Sequence, residues 1–173
     1  AAKYWCCKRS ESLTAEAMEV FGGNGYVEEG IMARLFKEAP VNSIWEGSGK
    51  VMCLDVLRAM SKEPELVQVL LTELKEMAKD ETSILKALHE VDTITADTAN
   101  LETRARLLTE KLILIIQACM MKQNAPEYMS EAFIEARIKQ SPSVNYGAFS
   151  SDTINHSQIL ERAFPSENPK KDK

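Results

Sequence analysis

The sequence predicts an all-α protein, a helical bundle, and three observations carry that prediction. Leu, Met, Ala, Glu and Lys, all strong helix formers, dominate the 173 residues, while aromatics contribute only 6%. Segments that alternate strictly between apolar and polar residues, as a half-buried strand requires, are hard to find. Leu101, Ala105, Leu108, Leu112, Ile115 and Cys119 recur by fours and threes, a near-heptad stripe that needs partner helices on one side. With 45% hydrophobic and 27% charged residues, the composition is that of an ordinary globular chain. The length suffices for one core with an appended element.

Ala1 to Phe21 reads as one helix, with Tyr4, Cys7, Ala15, Met18 and Phe21 inward and Lys8, Glu11 and Glu19 in water. Gly22-Gly23 stops it, and Asn24-Gly25 makes a turn with positive φ. Ile31 to Lys37 is a short amphipathic segment ended by Pro40, whose ring pushes Ala39 out of helical geometry. Val41 to Gly47 is an extended connection to a helix from Ser48 to about Met60, with Val51, Leu54 and Leu57 inward. Pro64 opens the next helix, to about Asp80, burying Leu66, Val69, Leu70, Leu74 and Met77. A shorter one covers Glu81 to Val91. The striped helix then runs from Asp92 to Lys122. Its Met120 and Met121 could line a ligand tunnel, but bundle core is the plainer assignment. Glu127 to Gln140 follows Pro126, and from Ser141 onward Ser, Asn and Pro mark a flexible end.

A soft boundary falls near Ser61–Pro64, because glycine is absent after it until Gly147. The expected organisation is a site-bearing front segment (1–61), a helical extension (62–141) and a mostly irregular tail (142–173). The net charge of −5 supplies no global attraction to nucleic acid or anionic lipid. From Ser61 to Gln140 the balance is −4, ten Lys and Arg against fourteen Asp and Glu, so DNA is a partner that charge does not support. The longest apolar run, Leu112–Met121, is interrupted by Gln117 and is half of the roughly 20 residues that a membrane span needs. No apolar signal-peptide core stands at the N-terminus, and the chain is expected to be soluble and intracellular. Cys6, Cys7, Cys53 and Cys119 lack ligand spacing and read as reduced, mostly buried thiols; His89 and His156 read as surface or ordinary packing residues, so no metal site is expected.

Two clusters stand out as chemistry. Gly22-Gly23-Asn24-Gly25-Tyr26 is first a helix stop, although a glycine-rich turn can also bring backbone against a phosphate or an adenine ring. It follows a helix rather than a strand, so it is not a dinucleotide-binding fingerprint. Asn42-Ser43-Ile44-Trp45-Glu46-Gly47-Ser48-Gly49-Lys50 sets one carboxylate beside an indole, which raises its proton affinity and suits it to act as a general base. The Gly-Ser-Gly that follows permits close backbone approach to a ligand and presents free N–H groups at a helix start. Alone, a carboxylate like Glu46 is more often a surface or cap residue than a catalyst, and a tryptophan like Trp45 is usually a core anchor.

Taken in order, Glu16-Ala-Met-Glu-Val-Phe-Gly-Gly-Asn-Gly-Tyr26, Arg34-Leu-Phe-Lys-Glu38 and Ile44-Trp-Glu-Gly-Ser48 resemble the C-terminal helical domain of acyl-CoA dehydrogenases. The run from Pro40 to Arg58 is similar to the family's adaptive-response (alkylation-response) branch. The resemblance covers about the first third of the chain and is looser after Ser61. It implies an FAD-dependent oxidoreductase acting on the CH–CH bond of acyl-CoA thioesters, of which this chain is a C-terminal portion, inactive alone. Glu46 falls at the position of the base that takes the α-proton, and its backbone N–H would polarise the thioester carbonyl, a contribution of ~3 kcal/mol. Gly22, Gly23 and Gly25 match the turn that meets FAD of a neighbouring subunit; Ile44, Trp45, Gly47 and Ser48 match the loop against the flavin. Lys50 stands where an amide side chain usually contacts FAD. Lys37-Glu38 replaces an Arg-Asp pair and loses the guanidinium fork. The full-length form is expected to be a homo-oligomer, dimer or tetramer, cytoplasmic or mitochondrial. The rival is a flavin-fold binding protein with little catalysis that engages DNA or a long acyl chain. A plainer third reading is an oligomerisation bundle using the Leu101–Cys119 stripe.

Overall fold

The computed structural model describes residues 1–45, 47–140, 145–148, 152 and 154–165. Every regular element among them is helical, as expected: α1 (Ala2–Val20), α2 (Gly23–Tyr26), α3 (Ile31–Asn42), α4 (Gly49–Lys62), α5 (Pro64–Met77) and α6 (Thr82–Ala96) come first. A 3₁₀ turn (Thr98–Asn100) leads into α7 (Ala105–Asn124), and α8 (Glu127–Ile134) runs on through a π-helical turn (Glu135–Lys139). The last is α9 (His156–Ala163).

The bundle is organised around α7. The stripe residues Ala105, Leu108, Leu112, Ile115 and Cys119 are buried, and so are Thr109, Ile113, Leu114 and Ala118 on other sides of the helix. A helix apolar over most of its circumference must be covered from several directions. Here α4, α5, α6 and α8 pack against it. The main core joins Leu71 and Leu74 of α5, Ile84, Leu88 and Val91 of α6, and Leu108 and Ile115 of α7. A smaller cluster of Tyr4, Met52, Cys53 and Ala105 ties α1 and α4 to the start of α7. The stripe is thus consumed within the chain, which removes it as a free oligomerisation face. The Thr109 hydroxyl, fully buried, donates to the Ala105 carbonyl at 2.8 Å, so its burial leaves no orphan donor.

Several elements differ from the sequence expectation for identifiable reasons. The helix expected to run unbroken from Asp92 is interrupted at Asp97 (φ −84°, ψ 72°). Asn100 donates its side-chain amide to the Asp97 carboxylate at 3.1 Å, and Arg104 pairs with it at 3.1 Å. Short polar side chains compete in this way with helical hydrogen bonds. The break lets α6 and α7 pack on one another, which a single rod could not do. On α5 the buried residues are Leu71 and Leu74, whereas Leu66 (61% exposed), Val69 and Leu70 face solvent. On α4 they are Met52 and Cys53; Val51 is exposed and Leu54 and Leu57 are half-buried.

Around α1, Tyr4 is buried, but Ala15 and Phe21 are exposed and the expected wet residues Lys8 and Glu11 are half-buried. Pro40 does not end α3: it lies in the last turn, with Ala39 buried and the helix continuing to Asn42. A proline there forfeits a single i→i−4 bond, which packing of α3 along α1 outweighs. The segment after it is a turn, not an extended connection, since Ile44 and Trp45 N–H both reach the Val41 carbonyl (3.0 and 2.8 Å). The positive φ falls on Gly22 (57°), and Asn24-Gly25 lie inside α2. Met120 is exposed and Met121 half-buried on an open groove, neither core nor tunnel. Within the stretch expected to be irregular, α9 forms with the Asn155 side chain accepting from the Gln158 N–H at 3.1 Å. The end of that stretch, 166–173, lies outside the described residues.

Cys53 and Cys119 are buried, but Cys6 is exposed and Cys7 only half-buried; all four are free thiols. Burial pushes the Cys119 thiol above its ordinary pKa, which disfavours the reactive thiolate. Both histidines are exposed. Among the described residues no helix is long and apolar enough to cross a membrane.

Candidate functional site

The glycines of the glycine turn and of the Trp45 turn answer different physical needs. Gly22, between the end of α1 and the start of α2, has a positive φ (57°) that a side chain would strain. Gly47 (φ 118°) does the same ahead of α4. Gly25 is buried by close packing: a Cβ there would lie 2.1 Å from the Met18 carbonyl oxygen, so α2 could not sit on α1. Gly49, at the first position of α4, is packed more loosely, against side-chain ends and not backbone. A Cβ on it would meet Lys8 Cε at 3.1 Å and Tyr4 Cε2 at 3.5 Å. Gly23 alone in the two clusters has neither reason. Its φ is not positive and no atom lies within 4 Å of a Cβ placed on it. Internal packing therefore explains Gly25 without a ligand, leaves Gly49 close to side chains that can give way, and leaves Gly23 facing open space.

This contrast sets an expected result. Gly25→Ala should destabilise the chain by about 1–3 kcal/mol, because the added carbon meets backbone that cannot rotate away. Gly23→Ala should be neutral or stabilising by about 0.5–1 kcal/mol, since alanine is the better helix former. Thermal unfolding followed by circular dichroism distinguishes them; equal losses for the two variants would contradict the assignment.

The turn after α3 is anchored from behind. Ser43, only 6% exposed, donates its hydroxyl to Glu11 Oε1 at 2.7 Å and also lies 3.0 Å from the Pro40 carbonyl. Lys8 joins the same carboxylate at 3.3 Å and the Ser43 hydroxyl at 3.3 Å. The Ser43 hydrogen bond, reinforced by Lys8, holds the Glu11 carboxyl below its ordinary pKa despite partial desolvation. Lys3 donates to the Trp45 carbonyl. These anchors were not read from sequence. The available signal was the i, i+3 pair Lys8 and Glu11 on a helix preceding a Ser-bearing turn, which also describes an ordinary solvated face.

In front of those anchors the side chains project outward. Ile44 is 69% and Trp45 70% exposed, so the indole is a presented surface and not the core anchor that its size suggested. Val20 (82%) and Tyr26 (78%) are presented similarly around the glycine turn. Ser48 is exposed at the N-cap of α4 and makes no side-chain cap bond. Lys50, expected at the cofactor, donates its ammonium to the Glu102 carbonyl just before α7. Glu46, with its expected contact to the indole, lies outside the described residues. Among the described residues no group of three or more His, Cys, Asp or Glu could hold a metal ion.

The front segment thus presents Val20, Tyr26, Ile44 and Trp45 to solvent and is backed by a helical bundle. Residues 1–61 match the family model of the acyl-CoA dehydrogenase, C-terminal domain, and the chain belongs to the acyl-CoA dehydrogenase family. More particularly, it is 38% identical over 138 residues to AidB of Escherichia coli (strain K12), across 80% of this chain and 25% of that protein. That likeness runs more than twice the length of the family match, so it reaches into the helices after Ser61. Acyl-CoA dehydrogenase family member 11 of Caenorhabditis elegans is 37% identical over 38% of this chain and 10% of its own length. The mitochondrial isobutyryl-CoA dehydrogenase of Dictyostelium discoideum is 34% identical over 36% of this chain and 15% of its own. The chain thus spans between a tenth and a quarter of the length of these relatives.

Proposed function

We propose that this chain supplies the catalytic-base loop and one wall of the flavin site of an FAD-dependent acyl-CoA dehydrogenase-like oxidoreductase. The supporting observation is the Ile44–Trp45 turn: two large apolar side chains exposed in front of two hydrogen bonds, Lys3 to the Trp45 carbonyl and Ser43 to the Glu11 carboxylate. Solvating so much apolar surface is unfavourable unless another surface covers it. A flat ring system suits the exposed indole, and Gly23 leaves room where a Cβ would otherwise intrude.

In this reading FAD, when bound, supplies the hydride acceptor. Glu46 takes the α-proton of the acyl-CoA thioester as general base. Ile44, Gly47 and Ser48 line the flavin side, and Gly22, Gly23 and Gly25 set the turn that faces the cofactor of a second subunit. The bond of Lys50 to the Glu102 carbonyl ties the helical extension to this loop. The ammonium thereby supports the loop from behind and need not contact the cofactor itself. The acting form is a homo-oligomer, because a site shared between copies needs one.

The test uses the full-length protein. It should purify yellow, or turn yellow on adding FAD, with one flavin per chain by absorbance. A colourless protein that fails to take up added FAD would refute the proposal.

A further inference from the structure

Away from the front loop, α1, α7, the end of α8 and Tyr146 enclose an open groove of about 570 Å³. Its floor and walls are apolar, with Leu13, Met120, Met121 and Phe133 among them, and it holds two guanidinium groups. Arg9 is fixed between rings, its guanidinium carbon 5.6 Å from the Trp5 centroid and 4.9 Å from that of Tyr146. It also donates to the Tyr146 hydroxyl at 2.7 Å. Arg137 comes from the π-helical turn, where an extra residue re-aims the side chains that follow α8. It is half-buried and makes no hydrogen bond or ion pair among the described residues. Among the described residues no carboxylate lines the groove. Burial and the nearby charge of Arg9 both disfavour the Arg137 cation, pulling its pKa below the ordinary value. The acid nearest in sequence, Glu135, is engaged by Lys139 at 3.3 Å.

Two like charges on an apolar floor are a costly arrangement when nothing neutralises them. The geometry points to a site for a small organic anion: we propose that the Arg9–Arg137 groove binds a carboxylate carrying an apolar chain. Guanidinium forks match carboxylates in shape and resist deprotonation, whereas an ammonium would lose its proton more readily in such a place. The methionines supply adaptable apolar contact for a flexible chain, and the volume lies in the range of small-molecule sites. This site shares no residue with the Trp45 turn and does not rest on the flavin reading.

Isothermal titration calorimetry of the chain with sodium octanoate, octan-1-ol and sodium acetate tests the proposal. Octanoate should bind saturably, and the alcohol and acetate at least tenfold more weakly, because each lacks one half of the recognised ligand. Arg137→Gln should weaken octanoate at least tenfold. Met120→Glu, at an exposed position where folding is not at stake, places a carboxylate beside the cations and should do the same by occupying them. Absence of octanoate binding, or equal binding of the alcohol or of acetate, would overturn the site. So would octanoate affinity unchanged in Met120→Glu, which decides the matter even if Arg137→Gln does not fold.

Discussion

Replacing Glu46 with Gln in the full-length protein is expected to abolish acyl-CoA-dependent bleaching of bound flavin while leaving flavin uptake intact. The carboxamide has nearly the same shape as the carboxylate but cannot accept the α-proton. Loss of a positioned general base costs about 10²–10⁴ in rate. The substitution leaves the anchors of the loop untouched, since Lys3 acts on the Trp45 carbonyl and Glu11 on the Ser43 hydroxyl. A defect in cofactor binding is therefore not expected, and visible absorbance with and without acyl-CoA reads the two effects separately. Bleaching at the wild-type rate would sink the base assignment and leave a flavin-fold binding protein as the better reading.

The largest effect on stability is expected from Leu108→Ala. Leu108 is fully buried in the main core, at the point where α7 meets residues of α5 and α6. Removing its side chain loses burial and leaves a cavity that rigid helices on several sides cannot close, at a cost of about 3–5 kcal/mol. For a chain of this size that corresponds to a fall in Tm of roughly 10 °C. Leu66→Ala is the matched control. It deletes the same atoms from an exposed position and should change stability by at most about 0.5 kcal/mol. Urea unfolding gives both values; comparable shifts in midpoint would mean that α5 packs through its other face.

The pair also marks where the sequence was legible. The α7 stripe could be read because Glu110, Lys111 and Gln117 interrupt the apolar pattern on one side, although Thr109, Ile113, Leu114 and Ala118 outside the stripe are buried as well. On α5 the run Leu66-Val67-Gln68-Val69-Leu70-Leu71 is apolar on nearly every side, so periodicity identifies a helix but not its inner face. Tertiary packing then selected Leu71 and Leu74. The break at Asp97 was hidden for another reason: its Asp97–Asn100 bond is local, but the apolar pattern on either side continues in phase. At the candidate site, residue order and spacing identified the two loops. The division of labour among their glycines depended on which neighbouring atoms approach Gly25 and Gly49, and no linear pattern records that distance.

Cys53 of α4 and Ala105 of α7 are each wholly excluded from solvent within one cluster. Hydrogen exchange along the inner face of α4 therefore requires that α7 come away too, and α7 carries most of the main core with it. The part of the chain that carries the family match consequently shares one cooperative transition with the helices that follow it. Natural variation or engineering in the extension far from Trp45 would thus alter how long the loop remains presented, without touching a residue of the loop.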